Sequence, residues 1–155
     1  AAWRALADVL DPEVPVLSVL DLGIVRDVTE AGDGALEVTL TPTYSGCPAT
    51  EVIERDIVAA LEAAALGPVT VRQQRAPAWT TDWISDDGKR KLREYGISPP
   101  GHLGGGATLH VMRRVPCPRC NNSRTERLSA FGATACKALY RCLDCREPFE
   151  HFKPI

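Results

Sequence analysis

The stretch "ALEVTLTPTYSGCPATEVIERDIVAALEAAALGPVTV", residues 35–71, carries two hydrophobic periods in one run. From Leu36 to Leu40, apolar Leu36, Val38 and Leu40 alternate with Glu37 and Thr39, the pattern of a half-buried strand. Beyond Pro48, the apolar positions become Ile53, Ile57, Ala60, Leu61 and Ala64, the stripe of an amphipathic helix. Pro48 suits the first turn of that helix, where a missing N–H is no loss. Gly67-Pro68 stops the helix, and "VTVRQQ" from Val69 reads as another strand. The stretch therefore predicts strand–helix–strand.

Upstream, "LGIVRDVTE" reads as a strand with Ile24, Arg26 and Val28 on one face, and "AGDG" turns it into the strand at 36–40. The two should form an antiparallel hairpin. At the start, Trp3, Leu6, Ala7 and Leu10 fall at i, i+3, i+4 and i+7, one face of a short helix. Pro12 and Pro15 of "DPEVP" end it. The expected fold class is α+β: a small helix–strand–strand–helix–strand domain over residues 1–76. Residues 77–106 read as a connector, with an aromatic-rich start, a short helix over 86–95 capped by Ser85, and the hinge "GHLGGG". Residues 107–155 form a second module, entered by a strand in "ATLHVMRRV".

That second module is defined by "CPRC" at Cys117–Cys120 and "CLDC" at Cys142–Cys145, with 21 residues between the pairs. Two such knuckles bring four thiolates into a tetrahedron suited to zinc. The intervening segment is polar and too small to bury much surface, so a metal should hold it together. Arg119, Arg141 and Arg146 flank the site and can offset its charge. The same four cysteines also admit two disulfides, a redox dithiol or an iron–sulfur cluster. Cys136 lies outside both knuckles and reads as a small packed hydrophobe.

Charge divides the chain. Residues 1–100 carry 9 basic and 16 acidic side chains; residues 101–155 carry 9 basic and 4 acidic. An acidic module is joined to a basic one. The net charge of −2 argues against a general nucleic-acid binder, and the ribbon lacks interleaved exposed aromatics. Arg113, Arg114, Arg119, Arg124 and Arg127 offer a patch that could dock a protein partner. No run of about 18 apolar residues appears, so no membrane helix is expected. The start lacks a basic stretch followed by an apolar one, so no signal peptide is expected. With paired cysteines and no leader, a cytoplasmic protein with reduced thiols is the expectation.

Cys47 stands apart from the other cysteines. Placed before Pro48 at a helix mouth, its sulfur faces unpaired N–H groups and the positive end of the helix dipole, both favouring thiolate. Thr41 and Thr43 sit nearby and can offer hydroxyls. The position suits a soft-metal ligand or a nucleophile, and equally a buried cap cysteine. In "DPEVP", Asp11 and Glu13 are carboxylates held by two prolines; such a loop can position ligands or simply terminate a helix. His102, His110 and His151 all lie far along the chain, and no His–Cys pair, phosphate loop or acid–base couple supports an enzyme.

The segments "DPEVP", "LDLGIVRDV" and "TPTYSGCPAT", with the helix after them, resemble the metal–sulfur cluster assembly domain over about residues 2–75. "PAWTTDWIS", "KLREYGISPPG" and the cysteine-rich tail are similar to the D-protein family of bacterial phenylacetate degradation, and extend the resemblance over nearly the whole chain. That resemblance implies a non-catalytic accessory or maturation factor of the multicomponent phenylacetyl-CoA epoxidase. Its implied partners are the epoxidase subunits, particularly the [2Fe–2S] reductase, and the iron–sulfur assembly machinery. Asp11, Glu13, Thr43 and Cys47 would form the functional face, carrying a transient iron–sulfur cluster or iron. Cys117, Cys120, Cys142 and Cys145 would hold structural zinc. One thiolate cannot hold a two-iron cluster alone, so a homodimer or a partner must complete the ligand set. The competing reading is a binding scaffold that docks epoxidase subunits through its basic ribbon.

Overall fold

A computed structural model describes residues 1–103 and 114–155 of the chain. Gly104–Gly106, most of the strand expected in "ATLHVMRRV", His110 and Arg113 lie outside the described residues. The chain gathers into two compact units, Ala1–Gly88 and Lys89–Ile155.

The first unit follows the predicted order: helix α1 (Ala2–Leu6), strands β1 (Val25–Glu30) and β2 (Leu36–Leu40), helix α2 (Ala49–Ala63) and strand β3 (Val69–Gln73). β1 and β2 pair antiparallel; β2 and β3 pair parallel across the α2 connection, so β2 is the central strand. Val38 and Leu40 of β2 and Ile53, Ile57 and Leu61 of α2 are buried, as their periods predict, but Thr39 is buried as well and Leu36 only half-buried, so the central strand is covered on both faces at its end rather than half-buried throughout. Asp33 Oδ1 accepts from the Ala35 amide in the hairpin turn. Gly67 follows α2 at φ 42°, and a Cβ there would collide with the Gly34 carbonyl, so the sheet entry admits only glycine.

Two local expectations give way to the backbone. A register shift between Val25 and Asp27 breaks the strict alternation of β1. Ile24 and Val25 are both buried, while the Arg26 guanidinium turns out over the Trp83 ring at 3.7 Å. α1 stops at Leu6, so the i+7 position falls outside it. Leu6 is buried, whereas Trp3 and Leu10 are exposed.

The segment after β3 packs back on this unit. Trp79 is buried and its Nε1 donates to the Leu22 carbonyl at 2.9 Å. Asp21 gathers the neighbourhood: Oδ2 accepts from the Ser18 amide and hydroxyl, both at 2.9 Å, and Oδ1 from the Ser85 hydroxyl at 3.2 Å. Ser85 Oγ in turn accepts from the Gly88 amide at 2.9 Å, capping helix α3 (Asp86–Tyr95) as its sequence indicates.

In the second unit, strands β4 (Ile97–Ser98), β5 (Thr125–Ser129), β6 (Lys137–Cys142) and β7 (Pro148–Phe152) form one sheet in the order β4-β7-β6-β5. β4 joins β7 in parallel, and the other pairs are antiparallel. Val115, Cys117, Cys142 and Phe149 form a small core, with Tyr140 packed against it. Cys136 is buried, as a packed hydrophobe should be.

Candidate metal centre and thiol loop

The two cysteine pairs are built alike. The Cys117 amide donates to the Asn122 carbonyl at 2.9 Å, and the Cys142 amide donates to the Glu147 carbonyl at 3.0 Å. The two knuckles thus close in the same register. Each is followed by a residue in the left-handed region, Asn121 at φ 60° and Arg146 at φ 62°. The folded-back turns aim amides at sulfur: Asn122 at Cys120, Glu147 at Cys145, and Asp144 and Cys145 at Cys142.

All four sulfurs lie within 4.8 Å of one another, with Cys117–Cys145 at 3.7 Å and Cys120–Cys142 at 3.6 Å. A tetrahedron of sulfurs about 2.3 Å from a central ion has edges of about 3.8 Å. The cysteines are unbridged, and these separations are far beyond a sulfur–sulfur bond. The disulfide alternative is therefore set aside. A cluster of several irons would spread the thiolates over separate metal ions; this set converges on one point.

Ionisation leads to the same conclusion. At Cys142, burial pushes the thiol up, but the amides of Cys145 and Asp144 and the neighbouring thiols prevail and bring it down to about 7. At Cys145, the Glu147 amide pulls down, while desolvation and the three other sulfurs push up to about 12. Cys120 is also raised, the lowering by the Asn122 amide and Cys145 being outweighed by desolvation and the sulfurs of Cys142 and Cys117. The first thiolate makes the next harder to form, so four negative sulfurs here require a cation. The donor set fits a tetrahedral thiophilic metal and leaves no open coordination position.

The arginines around the site do more than offset charge. Arg119 of the first knuckle pairs with Glu147 beyond the second at 2.7 Å, and Arg124 beyond the first pairs with Asp144 inside the second at 2.8 Å. The two knuckles are tied reciprocally. Arg141 pairs with Glu126 across the β5–β6 hairpin. Asp144 and Glu147 were not singled out in the sequence; their signal is a position within or just past a C-x-x-C opposite a basic residue in the other pair.

In the first unit, Pro48 has helical geometry (φ −65°, ψ −22°) and α2 begins at Ala49. Cys47 therefore flanks the helix mouth, and its carbonyl accepts from the Thr50 amide at 3.1 Å. Gly46 at φ 79° turns the chain into it. Cys47 is half-buried, and among the described residues its sulfur takes no hydrogen bond. Thr43 is half-buried. Thr41 is fully buried, and its hydroxyl has no hydrogen-bond partner among the described residues. Asp11 is buried, and its Oδ1 accepts from the Glu13 amide at 2.8 Å and the Val14 amide at 2.7 Å. That carboxylate holds the proline loop's shape, while Glu13 is half-buried. Among the described residues, the ribbon cysteines form the one group of three or more close metal-ligating side chains; Asp11, Glu13 and Cys47 do not gather into another.

Comparison with known proteins follows the same division. Residues 1–72 match the model of the iron–sulfur cluster assembly protein family, and residues 105–153 match that of the PaaD zinc beta ribbon domain. The chain is 52% identical to an Escherichia coli K12 protein provisionally named as the D component of 1,2-phenylacetyl-CoA epoxidase, over 99% of this chain and 91% of that one. It is 34% identical to the Fe-S protein maturation auxiliary factor of Porphyromonas gingivalis, over 57% of this chain and 85% of that one. A crystal structure of a domain of unknown function, DUF59, from Bacillus anthracis superposes with a TM-score of 0.55 at 28% identity, covering 59% of this chain and 87% of that one.

Proposed function

The chain belongs to the family of the phenylacetyl-CoA epoxidase D component, and from that membership we propose that it is a non-catalytic maturation factor of the epoxidase system. In this reading it assists iron–sulfur cluster or iron delivery to the epoxidase subunits, foremost the [2Fe–2S] reductase, in the cytoplasm. The observation that carries the reading is a contrast between two thiol settings. The ribbon's four cysteines converge on one closed site, which zinc would fill as a structural staple. Cys47 is half-buried at a helix mouth, and among the described residues its sulfur has no hydrogen-bond partner, the state a transferring ligand requires.

Thr43, Asp11 and Glu13 complete the proposed face. Asp11 shapes its loop through Oδ1, and Glu13 can supply hard oxygen to iron. A single sulfur cannot hold a two-iron cluster, so a second copy or the client supplies the remaining ligands; we take the homodimer as the working arrangement. No described helix is long and apolar enough to cross a membrane.

The test is Cys47→Ser in cells producing the reductase. The variant should keep its fold and ribbon metal while the reductase is purified with reduced cluster content, read from its visible absorption. Full cluster occupancy beside the variant would remove the proposal.

A further inference from the structure

We propose that the second unit carries a docking trough for an extended acidic segment of a partner protein, centred on Tyr95 and Arg93. This deepens the partner side of the reading above and does not depend on what Cys47 carries. Two adjoining hollows, of about 260 and 360 Å³, share Tyr95, Gly96, Pro148 and Phe149. One runs on past Pro118 and Arg119, the other past Ile97 and Leu139. Together they form a trough open to solvent along its length. A compact ligand would leave half its surface wet there, whereas an extended chain can lie along both hollows.

The walls select the occupant. Tyr95 is 56% exposed, a large aromatic surface at the centre. Pro118 and Pro148 contribute apolar rings and no N–H. Aromatic and proline-lined troughs of this kind suit extended, polyproline-like backbones. The lining carboxylates are all engaged: Glu94 with Arg90 at 2.8 Å, Glu147 with Arg119 at 2.7 Å, and Glu150 with Lys137 at 3.4 Å. Arg93 and the Tyr95 hydroxyl have no hydrogen-bond or ion-pair partner among the described residues. Arg93 can only donate and the Tyr95 hydroxyl can donate as well as accept, so the chemistry that satisfies both is an acceptor: a side-chain carboxylate beside an apolar residue that covers Tyr95. The unit's balance, 13 basic against 5 acidic side chains over residues 89–155, steers the same class of partner.

The experiment uses the full chain with its metal and two fluorescein-labelled synthetic peptides, repeats of Glu-Leu-Pro and of Lys-Leu-Pro of equal length, followed by fluorescence anisotropy. The acidic peptide should bind about tenfold more tightly than the basic one. Arg93→Glu and Tyr95→Ala should each weaken it about tenfold, while Arg55→Glu on the first unit leaves it unchanged. Both trough residues are exposed, and unaltered circular dichroism and metal content would confirm that the variants fold. Equal binding of the two peptides, no binding of the acidic one, or binding indifferent to Arg93→Glu would overturn the proposal. So would a labelled oligothymidylate that binds in an Arg93-dependent manner while the acidic peptide does not, which would assign the face to nucleic acid. None of these results touches reductase cluster content, so this idea and the Cys47 reading fail separately.

Discussion

Arg119 Nη1 donates to Glu147 Oε2 at 2.7 Å, joining a cation inside the first C-x-x-C to a carboxylate two residues past the second. Glu147 also closes its own knuckle through its carbonyl. One residue therefore ties the metal-bearing loops together along both backbone and side chain. The pair is exposed, so its thermodynamic share should be small. Arg119→Ala and Glu147→Ala are each expected to lower stability slightly, with a coupling of about 0.2–1 kcal/mol in a double-mutant cycle. Denaturant melts of the four proteins measure it, and a coupling above about 2 kcal/mol would show that the site is less solvated than its exposure indicates.

Metal removal should act on one unit. The ribbon core contains two of the ligands themselves, Cys117 and Cys142, beside Val115 and Phe149. Without the ion, four crowded thiols and a small core cannot hold the sheet. A strong chelator, or Cys145→Ser, is expected to melt residues 114–155 while the first unit keeps its helical signal. Elemental analysis should give about one zinc per chain before chelation and none after. An unchanged amide-exchange pattern in the ribbon after complete metal loss would contradict this.

His151 should make the second unit acid-sensitive. Burial pushes its pKa below the ordinary 6.5, against a smaller opposing effect of the Ser98 carbonyl 3.0 Å from Nδ1. The unfolded chain therefore takes up the proton first. The stabilisation is complete above about pH 6.5 and is lost as pH falls through that value toward the folded pKa, with a slope of at most about 1.4 kcal/mol per pH unit. His151→Gln should flatten this component in denaturant melts between pH 7.5 and 5.5. Thiolate protonation is common to both proteins and cancels in the difference. A variant with the same slope as the parent would assign the acid sensitivity to the metal site alone.

Arg146 holds a left-handed backbone angle, φ 62°, that a side chain adopts at a penalty. Among the described residues it makes no ion pair that would offset this. Arg146→Gly is expected to stabilise the ribbon by up to about 1 kcal/mol, readable as a rise in melting temperature of the metal-loaded chain. A fall would indicate that the guanidinium contributes to the site through its charge.

The first unit was largely legible because its signals are local. Alternation at Leu36–Leu40 and the stripe through Ile53, Ile57 and Leu61 each depend on side chains a few residues apart. The ribbon ligands were legible for a related reason: two residues between cysteines is the spacing a single turn needs to point both sulfurs at one ion. The break in β1, which takes Arg26 off the face expected for Ile24, Arg26 and Val28, was not legible, since a bulge is set by how a strand meets its partner. Nor was the short reach of α1, whose end is decided by the loop that follows it.

By itself, then, the amino-acid order determined the sequence of elements, the four ligating thiols and the exceptional position of Cys47, because periodicity, turn chemistry and ligand spacing act over short chain distances. Only the tertiary structure decided that Asp11 Oδ1 binds its own loop, that Arg119 and Arg124 face carboxylates across the knuckles, and that the side chains of Arg93 and Tyr95 find no partner among the described residues. Those outcomes depend on which polar groups meet across tens of residues, and a donor's partner is fixed only when the backbone has brought an acceptor within reach.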